Sequence, residues 1–242
     1  MNQSRSQACD SESVLARFPR AETVCKLIGR IDILPLCSTR LWTTMDSATL
    51  HNPQHVKRTK LVALIISLSA LCVATNYAMI PLSNVKLMDA IVFTAGVAFG
   101  FVPGAAVAAL SWLVYGTLNP LGFSAPILAI VVLSEMIYSC GGQLIRRTQH
   151  RAQAGLNASV NGSVVFGAVG FFCTLAYDLS TNAVSGILSY NSVWLGWATM
   201  NFPIPFGIIH EASNLFFFAT VVPILLKVLK RTAPTLEGIK GE

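Results

Sequence analysis

Between residues 61 and 229 the chain alternates long apolar runs with short polar breaks. A membrane helix needs about 20 predominantly apolar residues, and six runs approach that length: 61–82, 85–101, 103–118, 125–145, 163–190 and 202–229. Pro81 closes the first. The second and third are short and parted only by Val102-Pro103-Gly104. Gly96, Gly100, Gly104 and Gly116 run through them, which suits close helix packing or irregular membrane segments. Pro203, Pro205 and Pro223 are expected to kink or reset the ends of the sixth run. The pattern predicts an all-α membrane protein built as a compact bundle of six transmembrane helices.

Composition supports the same class. The 242 residues are 53% hydrophobic and 12% charged, with a mean hydropathy of +0.60. A soluble domain carries about 25% charged residues, so a soluble globular fold is excluded, and so is disorder over most of the chain. Charge is also unevenly placed. Residues 1–60 hold 9 of the 17 Lys and Arg, whereas residues 61–226 hold Lys86, Arg146, Arg147 and Arg151 against Asp89, Glu135, Asp178 and Glu211. Residues 1–55 therefore read as a disordered or weakly helical cytoplasmic tail, with Met45 as a second candidate start. Residues 56–231 read as the membrane domain and 232–242 as a short cytoplasmic tail. No apolar core followed by a small-residue cleavage site marks a secretory signal.

Lys and Arg near span ends set orientation. Lys57, Arg58 and Lys60 precede the first run, Arg146, Arg147 and Arg151 follow the fourth, and Lys227, Lys230 and Arg231 follow the sixth. The opposite loops hold only Lys86. Six crossings with both termini cytoplasmic, in the cell membrane, is the simple arrangement that fits. The net charge of +6 then reports cytoplasmic loops, and no nucleic-acid partner is expected.

Ionisable groups inside a bilayer cost at least about 2.5–3.5 kcal/mol each on insertion scales and are functional candidates by default. Here they are Glu135, Asp178, His210 and Glu211, with Asn182, Asn201 and Asn214 as uncharged companions. At 1.5 Å per residue the four ionisable groups lie roughly 10–16 Å from the outer ends of three helices, which places them in one layer of the outer half. Helical spacing puts Asp178, Thr181 or Asn182, and Ser185 on one face, and His210 with Asn214 on another. Glu135 and Tyr138 are three apart. Asn84, Lys86, Tyr115 and Asn119 join from the outer loops. The expectation is a pocket open to the outside, although each residue singly fits a structural role as well. In the first run Ala70, Ala74 and Ala78 recur every fourth residue, extended by Ala63 and Ser67. Such a stripe serves either a close-approaching partner helix or internal packing.

Several chemistries have no signature. There is no GxxxxGK[ST] phosphate loop and no HExxH. Cys9, Cys25, Cys37, Cys72, Cys140 and Cys173 form no CxxC pair, disulfide framework or zinc pattern. Ala183-Val-Ser185-Gly186 with His210 departs from an intramembrane serine protease, whose pattern wants Gly in place of Ala183. No catalytic residue, metal or cofactor is expected.

Six spans, a short chain and the stripe from Ala70 to Ala74 resemble the substrate-binding S component of energy-coupling factor (ECF) vitamin transporters. Residues 84–96 followed by 100–105 are similar to that family's first loop and second-to-third span. Residues 177–182 are similar to its fifth span, and 210–218 with Pro223 to its sixth. The resemblance covers about residues 57–229 and is poorly specific to substrate. It implies capture of a vitamin-like small molecule from the outer side, docking on a membrane coupling subunit through Ala70 and Ala74, and ATP hydrolysis by two separate ATPase subunits. It makes Asn84, Lys86, Asn119, Asp178, Asn182 and His210 candidates for the substrate side; no motif fixes Glu135 or Glu211. A stand-alone proton- or sodium-coupled transporter is the other reading, since Glu135, Asp178 and Glu211 are suited to relay ions.

Overall fold

A computed structural model describes residues 53–120, 122–152 and 160–232. The expected tails therefore lie outside the described residues, except where 53–55 and 232 fall in helices. The described residues form helices joined by turns, with no strand among them. The order is α1 Pro53–Met79, α2 Met88–Phe99, α3 Phe101–Thr117, α4 Ala125–Ala152, α5 Val160–Tyr190, α6 Val193–Asn201 and α7 Phe206–Thr232.

Four of these, α1, α4, α5 and α7, contain stretches long and apolar enough to cross a bilayer. Their outward faces are apolar: Leu133, Val164, Phe172, Phe216 and Ile224 are each more than 60% exposed. An apolar belt of that extent is unfavourable in water and matched to lipid. The chain is thus a multi-pass membrane protein by length and composition.

The second and third predicted spans differ from expectation. α2 has only 12 residues, about 18 Å at 1.5 Å per residue and short of a hydrocarbon core of about 30 Å. Residues 85–87, read as its start, belong to a loop. The break between α2 and α3 falls at Gly100 rather than at Val102-Pro103-Gly104. Gly100 adopts φ 100°, ψ 179°, open to a residue without a Cβ. Pro103 sits in the first turn of α3, where the missing N–H would have had no helical partner anyway. α4 serves the turn: Gln143 Oε1 accepts from Phe101 N at 3.1 Å, and Ser139 Oγ donates to Phe101 O at 2.8 Å.

α2 is the centre of the molecule. From Met88 to Gly100 every residue but Ala98 is buried, and α2 packs on α4, α3, α7 and α1. Its crossing with α4 brings backbones together: a Cβ on Gly96 would stand 2.6 Å from Ser139 O. Around it Phe93 meets Phe218 at 4.9 Å and Phe166 at 6.1 Å between ring centres. The break between the fifth and sixth runs contains the short helix α6, capped by Ser192 Oγ accepting from Leu195 N at 3.4 Å. Pro203 and Pro205 precede α7 and reset the start of the sixth run to Phe206; Pro223 lies inside α7.

Candidate functional site

One end of the bundle is tied by long-range hydrogen bonds. Tyr77 OH donates to Leu118 O at 2.9 Å, joining the ends of α1 and α3. Asn84, held at φ 59°, donates through Nδ2 to Phe206 O at 2.8 Å, joining the loop after α1 to the start of α7. The loop so fastened forms one wall of a cavity of about 610 Å³. Irregular backbone at membrane depth is tolerated where it lines a cavity or is buried in protein. The other walls come mainly from α1, α3, α5 and α6, with Val131 of α4 and Phe206 of α7.

The cavity gathers Asn84, Lys86, Asn119, Asp178 and Asn182 from the sequence candidates, with Tyr115, Thr181 and Ser185. Lys86 lies over two rings, its Nζ 4.9 Å from the centre of Trp112 and 5.6 Å from that of Tyr177. Among the described residues it makes no hydrogen bond or ion pair. Glu135, Tyr138, His210 and Asn214 are not in the cavity wall. They are fully buried beneath it. Glu211 is half-buried on α7 and belongs to neither group. Ala70, Ala74 and Ala78 are exposed on α1, away from the faces packed on α2 and α3, so they do not serve packing among the described residues.

The buried layer is a hydrogen-bonded network centred on His210. Its Nδ1 lies 2.9 Å from Asp178 Oδ1 and its Nε2 2.7 Å from Asp89 Oδ2. Asn214 Nδ2 donates to Asp89 Oδ2 at 2.7 Å and to Thr174 Oγ1 at 2.8 Å. Tyr138 OH donates to Thr174 Oγ1 at 3.2 Å. Trp112 Nε1 donates to Glu135 Oε2 at 2.9 Å. Five helices, α2, α3, α4, α5 and α7, thus meet in one polar layer within an apolar bundle.

Each ring nitrogen of His210 faces a carboxyl oxygen, so the two contacts require two protons among His210, Asp89 and Asp178. A neutral imidazole supplies only one. The layer is also short of donors. Six buried polar atoms lack a partner among the described residues, and five are oxygens: Asp89 Oδ1, Glu135 Oε1, Asp178 Oδ2 and Asn214 Oδ1 in this layer, and Asn76 Oδ1 on α1. Of these five, Asp178 Oδ2 and Asn76 Oδ1 belong to residues that line the cavity, 3% and 4% exposed.

The sequence does not single out Asp89, Thr174, Trp112 or Asn76. Asp89 reads as an ordinary acidic side chain in the first turn of a helix. Its signal is its place as the one charged residue in a run from Leu87 to Phe99 whose only other polar side chain is Thr94. Thr174 lies four residues before Asp178, on the same helical face. No group of three or more His, Cys, Asp and Glu side chains among the described residues is arranged to hold a metal ion. No family model, curated protein or solved structure matches the chain.

Proposed function

We propose that this chain is a membrane-embedded binding subunit that captures a vitamin or related micronutrient from the outer side of the cell membrane, as the S component of an ECF-type transporter. The chain crosses the membrane six times, the α2–α3 hairpin supplying two of the crossings with help from the loop before α2, and both termini are cytoplasmic. The observation that carries the reading is the cavity of about 610 Å³. It is large enough for a small organic molecule, polar where a ligand needs orientation, and set among loops that lack Lys and Arg apart from Lys86. The basic clusters lie at the other ends of the helices, which makes the cavity face outward. Without a phosphate loop of its own, the chain depends on a coupling subunit and two ATPase subunits for release. The exposed face bearing Ala70, Ala74 and Ala78 is the docking surface.

The test has two parts. The full chain is purified in detergent and its bound small molecules are extracted and identified by mass spectrometry. Uptake of the identified compound is then measured in cells with and without an ECF coupling subunit and its ATPases. Uptake that needs the ATPases supports the proposal. The buried carboxyls of Asp89, Glu135 and Asp178 around His210 favour one rival, a proton- or sodium-coupled transporter. Uptake by the chain alone that a protonophore or sodium removal abolishes would establish that rival instead.

A further inference from the structure

The unmatched groups of the cavity are of two kinds. On one side stand acceptors with no donor. Asp178 Oδ2 is free because Oδ1 is taken by His210 Nδ1. Asn76 Oδ1 is free while its Nδ2 donates to Met88 Sδ at 3.4 Å. Thr181 lines the same wall with its hydroxyl hydrogen committed to Tyr177 O at 2.9 Å, so its oxygen too is left as an acceptor. On the other side stands a donor with no acceptor. The Lys86 ammonium has three N–H groups, lies over the faces of Trp112 and Tyr177 and feels the carboxyls of Asp89 and Glu135 only through space, with no hydrogen bond or ion pair among the described residues. A buried polar atom without a partner loses its hydration and gains nothing in return. The walls therefore specify complementary features on whatever fills the space.

We infer that the cavity takes a bifunctional small molecule, with an N–H-rich, cationic group placed against Asp178 Oδ2 and Asn76 Oδ1 and an anionic oxygen placed against Lys86 Nζ. The inference rests on reading the cavity as the substrate site and is independent of what drives release. A purely apolar molecule leaves both kinds of group unmatched. A simple anion satisfies Lys86 but sets its charge near Asp178. A simple cation satisfies Asp178 but sets its charge near Lys86. Only a molecule with both groups relieves every mismatch without adding a like-charge contact. Lys86 is the specificity-determining residue for the anionic end and Asp178 for the cationic end.

The test uses matched probes on the full chain in detergent after its endogenous small molecules are removed. Benzamidine carries only the cationic donors, benzoate only the anion, and 3- and 4-amidinobenzoate carry both at two spacings. Calorimetric titration of each is expected to show at least one amidinobenzoate binding roughly tenfold or more tighter than either half-probe, as a charge-assisted hydrogen bond allows. Lys86→Met should bring that amidinobenzoate down to the affinity of benzamidine, and Asp178→Asn should bring it down to that of benzoate. Thermal melting of both variants, compared with the parent chain, checks that they fold. Where Asp178→Asn melts early, Lys86→Met alone decides, because Lys86 makes no hydrogen bond or ion pair that its removal would break. Equal affinity for all four probes, no binding by either amidinobenzoate, or an unchanged amidinobenzoate affinity in folded Lys86→Met would each overturn the inference. Failure of the ATPase-dependent uptake assay leaves the probe ranking untouched, so the two readings fail separately.

Discussion

Asp89 and Asp178 are chemically identical and stand on the two sides of one imidazole, yet they have different work. Asp89 is 1% exposed; its Oδ2 lies 2.7 Å from His210 Nε2 and accepts from Asn214 Nδ2 at 2.7 Å. Nothing about it is open to the cavity. Breaking a buried ionic contact by removing one partner typically costs about 3–5 kcal/mol, so Asp89→Ala is expected to lower the melting temperature of the ligand-free protein sharply. Asp178→Asn keeps an acceptor for His210 and loses a charge on the cavity side. It should weaken ligand binding roughly tenfold to a hundredfold while lowering the melt less than Asp89→Ala. Melts of both variants beside titration with the extracted ligand measure the contrast; a larger melting loss in Asp178→Asn would make Asp178 the structural member of the pair. Asp178, His210 and Asn214 are legible in the sequence because they interrupt long apolar helices at helical spacing. Asp89 is not legible in the same way. Its place at the head of a helix has an ordinary electrostatic explanation, and its burial comes from the helices packed around α2.

At the scale of elements, the four long helices follow directly from apolar length, although α1 begins at Pro53 rather than 61 and α4 runs on to Ala152 rather than 145, both through polar residues. The short elements do not follow from length. α6 has nine residues, too few for periodicity to stand out, and it exists because it packs on α5. Gly186 and Gly196 meet there: a Cβ on Gly196 would stand 2.7 Å from Gly186 Cα and would also strike Asn182 O. Thr199 and Met200, on the same short helix, line the cavity. Gly196→Val should therefore push α6 off α5, open that wall and reduce ligand affinity at least tenfold, by an overpacking cost of about 1–3 kcal/mol. The main melt should move little, because the core lies around α2. Unchanged affinity in this variant would mean that α6 is not part of the binding wall. On α1 the stripe has the opposite character, since Ala70, Ala74 and Ala78 are exposed and a larger side chain there meets nothing within the bundle. Ala74→Trp is expected to leave ligand titration unchanged and abolish ATPase-dependent uptake. Uptake at the parent rate would remove the stripe from the coupling interface.

For the whole molecule the prediction is one of sidedness. Lys57, Arg58 and Lys60 at the head of α1 and Lys227, Lys230 and Arg231 at the tail of α7 belong to one face of the membrane under the positive-inside rule. The cavity mouth belongs to the other. In a cysteine-free background, a cysteine introduced at Ser124 or Asn191 should react with a membrane-impermeant maleimide added to intact cells. One at Thr148 should react only after the membrane is opened. The reverse pattern would turn the cavity toward the cytoplasm and end the uptake reading. Six apolar runs are visible in the sequence, but apolarity alone does not distinguish a helix that faces lipid from one that faces only protein. α2 and α3 are apolar for the second reason as much as the first, and so their lengths fall short of a simple crossing.

The enclosure of α2 also dictates an order of biogenesis. A segment of 12 residues carrying Asp89 is a poor candidate for independent partition from the insertion machinery into lipid, where an acidic group costs several kcal/mol. Its partners are made later: α4 supplies Glu135, α5 supplies Asp178, and α7, which comes last, supplies His210 and Asn214. Until α7 emerges, the carboxyl of Asp89 has neither its imidazole nor its amide. The nascent chain must hold this hairpin in a protected or watery setting through most of its synthesis, and the polar layer closes only when the final helix arrives.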